Sequence, residues 1–245
     1  MAELAVQNES ADWTAAGIVE RARIADIGCG PGAVLRVIAE RVGPHGRAIG
    51  VDADPVVVDM ALQEVADYPQ ALVQVGTATN TALDLDSFDV VMCRHVLAHN
   101  GGSEAEIVRH LASLATPGGR VYLVDVEVTL LRITGEDPDL QDLRTRYLAF
   151  QQARGNDLSV GLRLADLLTE TGLIVERYAL ANPALVRLMA GYRPPAWAAR
   201  AAIVAEGFAT DEDVARWEEA FARLDASERR QWVLVPNLVA IGRRP

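Results

Sequence analysis

The chain has 245 residues, half of them hydrophobic, and a formal net charge of −11. This composition predicts one sizeable hydrophobic core with embellishments rather than two independent domains. The negative charge disfavours a nucleic-acid partner, because binding a phosphate backbone requires a positive face. No stretch has the length and hydrophobicity of a membrane span, and the N-terminus has no basic region followed by an apolar run. We therefore expect a cytoplasmic protein with no membrane partner.

The cysteines and basic residues narrow the chemistry further. All 23 basic residues are arginine, so a lysine base or Schiff base is excluded. The two cysteines, Cys29 and Cys93, both fall where a predicted ligand would bind, which favours free thiols in a reducing compartment. No Cys and His residues cluster with the spacing of a zinc site, and no metal is expected.

Residues 1–21 are weakly patterned and are predicted to form an N-terminal helical segment. Ser10 or Asp12 is the expected N-cap of a short helix through Trp13 and Ile18. Such a helix would pack on the sheet or lie over the ligand.

A glycine-rich loop between a strand and a helix is the most informative stretch. Arg23–Ile27 is almost wholly apolar and is predicted to be a strand. It is followed at once by Gly28-Cys29-Gly30-Pro31-Gly32, whose glycines let a ligand approach the backbone. A helix is predicted next from apolar residues at helical spacing, namely Val34, Leu35, Ile38 and Val42. This order is the context that a nucleotide-binding fingerprint requires.

Two ligand classes compete for this loop. The residues can be forced onto the GxGxxG pattern of a dinucleotide site, but the third glycine comes one position early. Asp26, two residues before the first glycine, would crowd a pyrophosphate but could pair with an ammonium group. Asp52 ends the next apolar strand, where a carboxylate can accept both hydroxyls of a ribose. An amino-acid-bearing nucleoside therefore fits better than NAD.

Strands and helices then alternate, which is typical of a doubly wound parallel sheet. Apolar strands are predicted at Ala48–Val51, Ala71–Val75, Phe88–Cys93 and Val121–Val126. Their near-continuous apolarity indicates burial on both faces. Helix starts are predicted from an Asp cap followed by Pro at Asp54-Pro55, and from a capping box formed by Ser103 and Glu106.

The second half of the chain carries more helix than a minimal domain of this type. Asp137-Pro138 is predicted to start one helix, and a second is capped by Asn156, Asp157 or Ser159. A sixth strand is predicted at 173–180.

An insert of helical segments is predicted at 181–231, because this stretch is too long for an unstructured loop. It contains an Ala-rich helix ending near Gly207 and a helix capped by Thr210. Residues 232–245 form the last strand. Because Pro236 is poorly tolerated in a central strand, we expect a bulge or a strand beginning at about Asn237.

Four motifs in this order resemble the class I S-adenosylmethionine (SAM) dependent methyltransferases, in particular the small-molecule branch related to quinone biosynthesis. They are Asp26-Ile27-Gly28-Cys29-Gly30-Pro31-Gly32, Gly50-Val51-Asp52, Ser87-Phe88-Asp89-Val90-Val91 and Thr116-Pro117-Gly118-Gly119. The resemblance implies an α/β fold with a Rossmann-like doubly wound sheet of about seven strands. The implied strand order is 3-2-1-4-5-7-6, with the last strand antiparallel and helical lid inserts. The SAM-binding core would be 22–180, completed by the strand at 232–245.

The cofactor site is predicted from the rule that ligands bind beyond the carboxyl ends of the strands in an open α/β sheet. The candidates for SAM binding are Asp26, Gly28, Cys29, Gly30, Gly32, Asp52, Ala53, Thr77, Ala78, Cys93 and Arg94. In the resembled family the residue after the ribose acid touches the adenine, and an acid usually follows the third strand. Here Thr77 takes that place, where its hydroxyl or the Ala78 N–H can read the ring edge.

The catalytic candidates are His95 and His99, which follow the fourth strand one helical turn apart. A base is needed only if the acceptor is a hydroxyl or an acidic carbon. The candidates for acceptor binding are polar or aromatic residues of the inserts, namely Tyr147, Gln151, Arg154, Tyr192 and Trp197. A divalent metal is not expected, although Asp125 and Glu127 at a strand end could hold a hard cation.

The sequence thus favours a SAM-dependent methyltransferase that acts on O, C or N of a small, partly apolar metabolite. The alternative is a SAM-binding protein of the same fold that transfers no methyl group, as a cyclase or a binding module. An NAD-dependent reductase is a third hypothesis. A small-molecule substrate is the expected partner, and a homodimer is left open.

Overall fold

The computed structural model of this chain describes residues 2–181 and 185–245, without the side chains of residues 2–4, 6 and 7. The helices are α1 (Ala2–Ala16), α2 (Ala33–Val42), α3 (Pro55–Glu64), α4 (Glu104–Leu114), α5 (Pro138–Ala153), α6 (Leu164–Glu170), α7 (Pro195–Ala198), α8 (Arg200–Ala205) and α9 (Asp211–Ala226). The strands are β1 (Arg23–Ile27), β2 (Arg47–Asp52), β3 (Ala71–Val75), β4 (Phe88–Arg94), β5 (Ala115–Val126), β6 (Arg132–Ile133), β7 (Ile174–Leu180), β8 (Leu185–Arg187), β9 (Trp232–Leu234) and β10 (Asn237–Arg243). Met1 and residues 182–184 of the predicted insert lie outside the described residues.

Seven of these strands form one twisted sheet in the order β3-β2-β1-β4-β5-β10-β7. Strands β1 to β5 pair in parallel, and β10 pairs antiparallel with both β5 and β7. Counted along the chain within this sheet alone, the order is 3-2-1-4-5-7-6, as predicted. The order reverses at β1 and β4, which places the carboxyl end of β1 at the topological switch point where ligands of this fold class bind.

Helices cover both faces of the sheet, as the apolar strands predicted. One face is packed with the buried side chains of α4 and α6, including Ile107, Leu111 and Leu167. The opposite face is packed with those of α1 and α2, including Trp13 and Leu35. Burial of the sheet between two helical layers therefore supplies most of the hydrophobic stabilisation.

A second small sheet, β6-β9-β8, was not predicted. Its strands are only two or three residues long, too short to show an alternating pattern in the sequence. Beside it α5, α7, α8 and α9 share their own core around Leu143, Phe150 and Trp217. The inserts thus fold into a helical layer of their own, next to the carboxyl ends of the main strands.

Several local predictions are confirmed. Asp54, Asp137 and Thr210 cap α3, α5 and α9 through side-chain hydrogen bonds. The last strand of the main sheet begins at Asn237, directly after Pro236. Residues 232–234 instead pair within the small sheet. Among the described residues, no helix combines the length and the hydrophobicity needed to cross a bilayer.

Three predicted caps are wrong. None of Asn156, Asp157 and Ser159 caps the helix predicted after them, because α6 begins at Leu164 and Arg163 holds its N-cap position. Ser103 precedes α4, but its side chain makes no capping hydrogen bond, so the box with Glu106 is not formed. Instead the Gly102 N–H donates to the Glu104 carboxylate at 2.7 Å. Ser10 and Asp12 lie inside α1, because this helix begins at Ala2.

Helix α1 is held on the sheet by a buried polar network. Arg94, at the end of β4, donates two hydrogen bonds to the Glu9 carboxylate, at 2.9 and 2.5 Å. The Tyr122 hydroxyl and the Trp13 indole N–H donate to the same carboxylate at 3.0 and 3.3 Å. The side chains of Glu9 and Arg94 are only 3% and 13% exposed. The position of α1 is therefore fixed from beneath by a fully hydrogen-bonded carboxylate.

Further arginines hold the rest of α1. Arg177 on β7 pairs with Asp12, and Arg41 on α2 donates to the Ile18 carbonyl at 2.6 Å and to Thr14. The apolar pattern of α1 is weak, which explains why the sequence predicted little about this helix. Its position depends on side chains from four distant elements, α2, β4, β5 and β7.

The first prediction concerns this network. Arg94→Met leaves the Glu9 carboxylate buried without its cation, so we expect the free energy of unfolding to fall by about 3–5 kcal/mol. Urea denaturation at pH 7 measures the loss. Adding Glu9→Leu removes the uncompensated charge and restores much of it.

Arg36→Met is the matched control for this prediction. It removes a half-exposed arginine that pairs with Glu64 and Glu40, and its cost should stay below about 1 kcal/mol. Equal losses for Arg94→Met and Arg36→Met would contradict the account of α1.

Candidate active site

The carboxyl ends of β1 and β2 meet at the glycine-rich loop. The N–H groups of Gly28 and Cys29 both donate to the Val51 carbonyl, at 2.8 and 3.1 Å. The turn after β1 is thereby fixed against the end of β2, which carries Asp52. The two motifs that the sequence separates by more than twenty residues form one site.

Glycine is required at positions 30 and 32 for different physical reasons. Gly30 has φ of +56°, and a Cβ built there would meet no atom within 4 Å, so this side of the loop is open to a ligand. Gly32 has φ of +86°, and a Cβ there would lie 2.9 Å from the Cα of Ala61 on α3. Gly30 therefore leaves room for a ligand, whereas Gly32 lets the loop pack against a helix.

Asp52 connects the loop to the start of α3. Its Oδ2 accepts the Gly30 N–H at 2.9 Å, and its Oδ1 accepts the Asp54 N–H at 3.1 Å. Each carboxylate oxygen has a second lone pair that these bonds leave available. Asp52 is half-buried, so both remaining lone pairs can accept the hydroxyls of a ribose.

Asp26 lies beneath the same loop, almost fully buried. Burial raises its pKa from the usual 3.8 to about 6, with Asp52 and Glu9 adding to the rise and Arg94 opposing it. A buried carboxylate of this kind is stabilised by a cation that comes with a ligand. The site thus fits a ligand with an ammonium group near Asp26 and a sugar near Asp52.

Cys29, Cys93 and Arg94 are the other cofactor candidates with reactive or charged side chains. The thiols of Cys29 and Cys93 are buried, and burial raises the pKa of both, so they are protonated and unreactive. Arg94 is at the site, but its guanidinium is bound to Glu9, and it acts on Asp26 only through its charge. These residues therefore shape the site rather than present a free functional group to it.

The turn after β3 carries Thr77 and Ala78. The Thr77 hydroxyl accepts the Asn80 N–H at 3.1 Å, and the main chains of these two residues bond each other. The adjacent Thr81 is bonded through its hydroxyl to His110 at 2.9 Å. The turn is thus rigid, and it places Thr77, Ala78 and the exposed Ala53 at the same edge of the sheet.

His95 follows β4 in an unusual backbone conformation, with φ of +56°. Its Nδ1 lies 4.0 Å from Asp125 Oδ1. Burial, followed by the charge of Arg94, lowers its pKa to about 4. His95 is therefore neutral at physiological pH and is a weak base.

Asp125, at the end of β5, fixes the loop that carries both histidines. It accepts the N–H groups of Ala98 and Val126 at 3.1 and 2.9 Å, and burial raises its pKa to about 6. Glu127 accepts the N–H groups of Thr129 and Leu162. Both carboxylates are thus used by the main chain. In the described part of the chain, no group of three or more His, Cys, Asp or Glu could hold a metal ion.

A cavity of about 350 Å³ opens between this loop and the helical layer. His99 and Val126 contribute at the sheet, and the opposite walls come from α5, α9 and the segment around Tyr192 and Pro194. Most of the lining is aliphatic or aromatic, including Leu140, Leu143, Leu148, Leu188, Phe221, Leu224 and Val233. The cavity has the size and polarity of a pocket for a small apolar molecule.

The acceptor candidates divide into two groups. Tyr147 and Tyr192 line the cavity, and Gln151 is buried behind Tyr147 with its amide 2.6 Å from the Tyr147 hydroxyl. Arg154 instead pairs with Glu206 on the surface, and Trp197 stacks edge-on against Phe221 without lining the cavity. The structure thus brings only the first group to the cavity.

Four contributing residues were missed by sequence reasoning, namely Glu9, Glu136, Arg144 and Gln231. Glu9 lies in a weakly patterned helix and gave no signal. Arg144 lies on α5 and pairs with Glu136, which precedes that helix, and both line the cavity. Gln231 lines the cavity from the end of the insert. The i, i+8 separation of Glu136 and Arg144 spans a helix start, so no helical spacing rule would have found the pair.

Comparison with known proteins agrees with this geometry. Residues 24–119 match the family of methyltransferase domains. This segment is a class I SAM-dependent methyltransferase domain. SAM carries both an amino-acid ammonium group and an unphosphorylated ribose, which are the two groups predicted from the sequence for Asp26 and Asp52.

Relatives resemble the domain over part of their length. The chain is 38% identical over 100 residues to nocamycin O-methyltransferase of Saccharothrix syringae, covering 40% of this chain and 35% of that protein. It is 35% identical over 102 residues to the ubiquinone biosynthesis O-methyltransferase of Aeromonas salmonicida, covering 41% and 42%. The matched segments thus span less than half of these relatives.

The fold extends further than the sequence similarity. The solved YcgJ protein of Bacillus subtilis aligns with a TM-score of 0.60 over 97% of this chain and 98% of its own, at 19% identity. This similarity shows the methyltransferase fold over the whole chain, including the inserts.

The second prediction concerns Asp26. An ammonium group pairs with the ionised carboxylate only, so we expect the affinity for SAM to be highest near pH 7, where Asp26 is ionised and the amine of SAM is protonated. Below about pH 6, where folded Asp26 takes up a proton, affinity should weaken by up to about tenfold per pH unit. In Asp26→Asn the affinity should be low and nearly independent of pH from 5 to 8, as measured by calorimetry.

The free energy of unfolding of the unliganded protein should have the opposite dependence on pH, and fall where the affinity for SAM rises. Folded Asp26 keeps its proton up to about pH 6, whereas an unfolded Asp loses it near 3.8. Stability contributed by this group therefore falls as pH rises through that range, and Asp26→Asn should remove the fall. The exposed Asp59→Asn serves as control. A wild-type affinity for SAM that does not change between pH 5 and 8 would contradict the role of Asp26.

Proposed function

We propose that this protein transfers the methyl group of SAM to oxygen, carbon or nitrogen of a small, largely apolar metabolite, with oxygen the favoured atom. The observation that carries the proposal is the apolar cavity, which opens beside the loop after β4 at the carboxyl edge of the sheet. The names of the two relatives described above both specify O-methyl transfer, which supports oxygen.

The cofactor and the protein divide the chemistry between them. SAM, when bound, supplies a methyl group already activated by its sulfonium sulfur. Asp26 would hold the ammonium group and Asp52 the ribose. The cavity walls would orient the acceptor and exclude water. Such alignment can contribute up to about 7–11 kcal/mol to lowering the barrier.

His99 is our proposed base for a hydroxyl acceptor. It lines the cavity, whereas His95 does not contribute to the lining. Burial lowers the pKa of His99, so its imidazole is neutral at physiological pH and can accept a proton. His95, with a pKa of about 4, is better suited to fixing the loop beside Asp125.

The third prediction tests this function. The protein is incubated with SAM and a panel of hydroxylated naphthoquinones, hydroxyanthraquinones and alkylphenols, together with small polar amines and acids. We expect S-adenosylhomocysteine and a singly methylated product with at least one of the apolar hydroxyl compounds, detected by mass spectrometry. His99→Gln should lower kcat for that acceptor by about 10²–10⁴-fold and remove the fall in rate at acid pH.

His45→Gln, at an exposed position far from the cavity, provides the matched control and should leave kcat unchanged. Unchanged kcat in His99→Gln would rule out His99 as the base. Turnover of polar compounds alone would contradict the apolar acceptor. Tight SAM binding with no turnover across the panel would favour the cyclase or binding module instead.

A further inference from the structure

Among the described residues, the cavity lining contains one ion pair, formed by Arg144 and Glu136. The two charges of this pair neutralise each other. Arg144 donates two hydrogen bonds to the Glu136 carboxylate, at 3.0 and 2.8 Å. This bidentate geometry uses the planar edge of the guanidinium that would otherwise bind a carboxylate or phosphate of a ligand. The other described polar side chains of the lining are neutral, namely His99, Tyr147, Tyr192 and Gln231. An anionic acceptor would enter without a free cation to compensate it.

A directed chain of hydrogen bonds ends at Tyr147. The Asn156 amide donates to Gln151 Oε1 at 2.7 Å. The Gln151 Nε2 in turn donates to the Tyr147 hydroxyl at 2.6 Å. Gln151 is buried, with 9% of its surface exposed, and cannot exchange these partners for water. The chain of donors therefore runs from Asn156 towards Tyr147.

The direction of this chain determines what Tyr147 can do. A phenol has one proton to donate, and an acceptor lone pair of Tyr147 already receives the Gln151 N–H. No described residue accepts the Tyr147 proton, and Tyr147 lines the cavity. Its O–H is thus available as a donor to an oxygen of a bound molecule.

We propose that Tyr147 recognises a hydrogen-bond-accepting oxygen, such as a carbonyl, on an uncharged and otherwise apolar acceptor. Gln151 and Asn156 are positioning residues that orient the hydroxyl. This inference rests on the proposed function, since it names the acceptor class of the same cavity. It narrows that class to neutral carbonyl-bearing or ether-bearing molecules and excludes carboxylates and phosphates.

The fourth prediction uses two tricyclic probes that differ in one group, fluorenone with a carbonyl and fluorene with a CH₂. Their dissociation constants are measured by calorimetry on protein saturated with S-adenosylhomocysteine. In Tyr147→Phe we expect the dissociation constant of fluorenone, divided by that of fluorene, to rise by roughly 3–10-fold. Gln151→Leu should shift this ratio in the same direction by less, because the hydroxyl is kept but no longer oriented. Fluorene carboxylate should bind about tenfold more weakly than fluorene or worse.

Tyr178→Phe is the matched control, because the Tyr178 hydroxyl already donates to the Gly161 carbonyl at 3.1 Å outside the cavity. It should leave the ratio unchanged. A ratio that moves in Tyr192→Phe and not in Tyr147→Phe would overturn the assignment to Tyr147. Tight binding of fluorene carboxylate would overturn the neutral acceptor.

Failure of the proposal for Tyr147 can be distinguished from failure of the proposed methyltransferase function. Binding of S-adenosylhomocysteine is measured first, and its absence would count against the methyltransferase itself. Tyr147→Phe keeps the ring that packs in the cavity wall, and its thermal unfolding is compared with that of the wild type. A bound cofactor product, an intact fold and an unchanged ratio would refute the role of Tyr147 alone.

Discussion

The hydrogen bonds of the Asp52 carboxylate hold the candidate active site together. Through them the strand β2 is tied to the open glycine loop at Gly30 and to the start of α3 at Asp54. Without a carboxylate at this point, the loop and the helix would each lose a main-chain partner at the topological switch point. One side chain thus arranges the backbone and presents its remaining lone pairs to a ligand.

Three further charged residues lie near the Asp52 carboxylate. Asp26 lies below the loop, the charge of Arg94 acts on it, and Glu9 from α1 binds Arg94. The N-terminal helix is therefore coupled electrostatically to the position expected for the ammonium group of SAM. The sequence left open whether this helix packs on the sheet or lies over the ligand, and the buried pair of Arg94 with Glu9 holds it on the sheet.

Much of the core could be predicted because its signals are local. The strand Arg23–Ile27, the helix start at Asp54-Pro55 and the start of the last strand after Pro236 each follow from a few neighbouring residues. The order of the strands followed from the family resemblance and is confirmed. The prediction of Asp26 and Asp52 as neighbours in one site likewise depended on a rule about the ends of parallel strands.

The acceptor side could not be predicted in the same way. Its small sheet joins Arg132–Ile133, Leu185–Arg187 and Trp232–Leu234, which are each too short to give a pattern. Of the polar and aromatic residues singled out in the inserts, Tyr147 lines the cavity but Arg154 faces the surface. Tyr147 lies within α5 and Arg154 is its C-cap, and only the packing of α5 against α7, α8 and α9 decides which side is covered. Glu9 shows the same limit, since its partners lie 85 and 113 residues away.

The most direct test of the account is the affinity for SAM after removal of the Asp52 carboxylate. Calorimetry on Asp52→Ala, with thermal unfolding to confirm that the variant is folded, should show a dissociation constant raised by about a hundredfold or more, because two hydrogen bonds to a charged group are lost. A folded Asp52→Ala protein that binds SAM as tightly as the wild type would contradict the placement of the cofactor at this edge of the sheet.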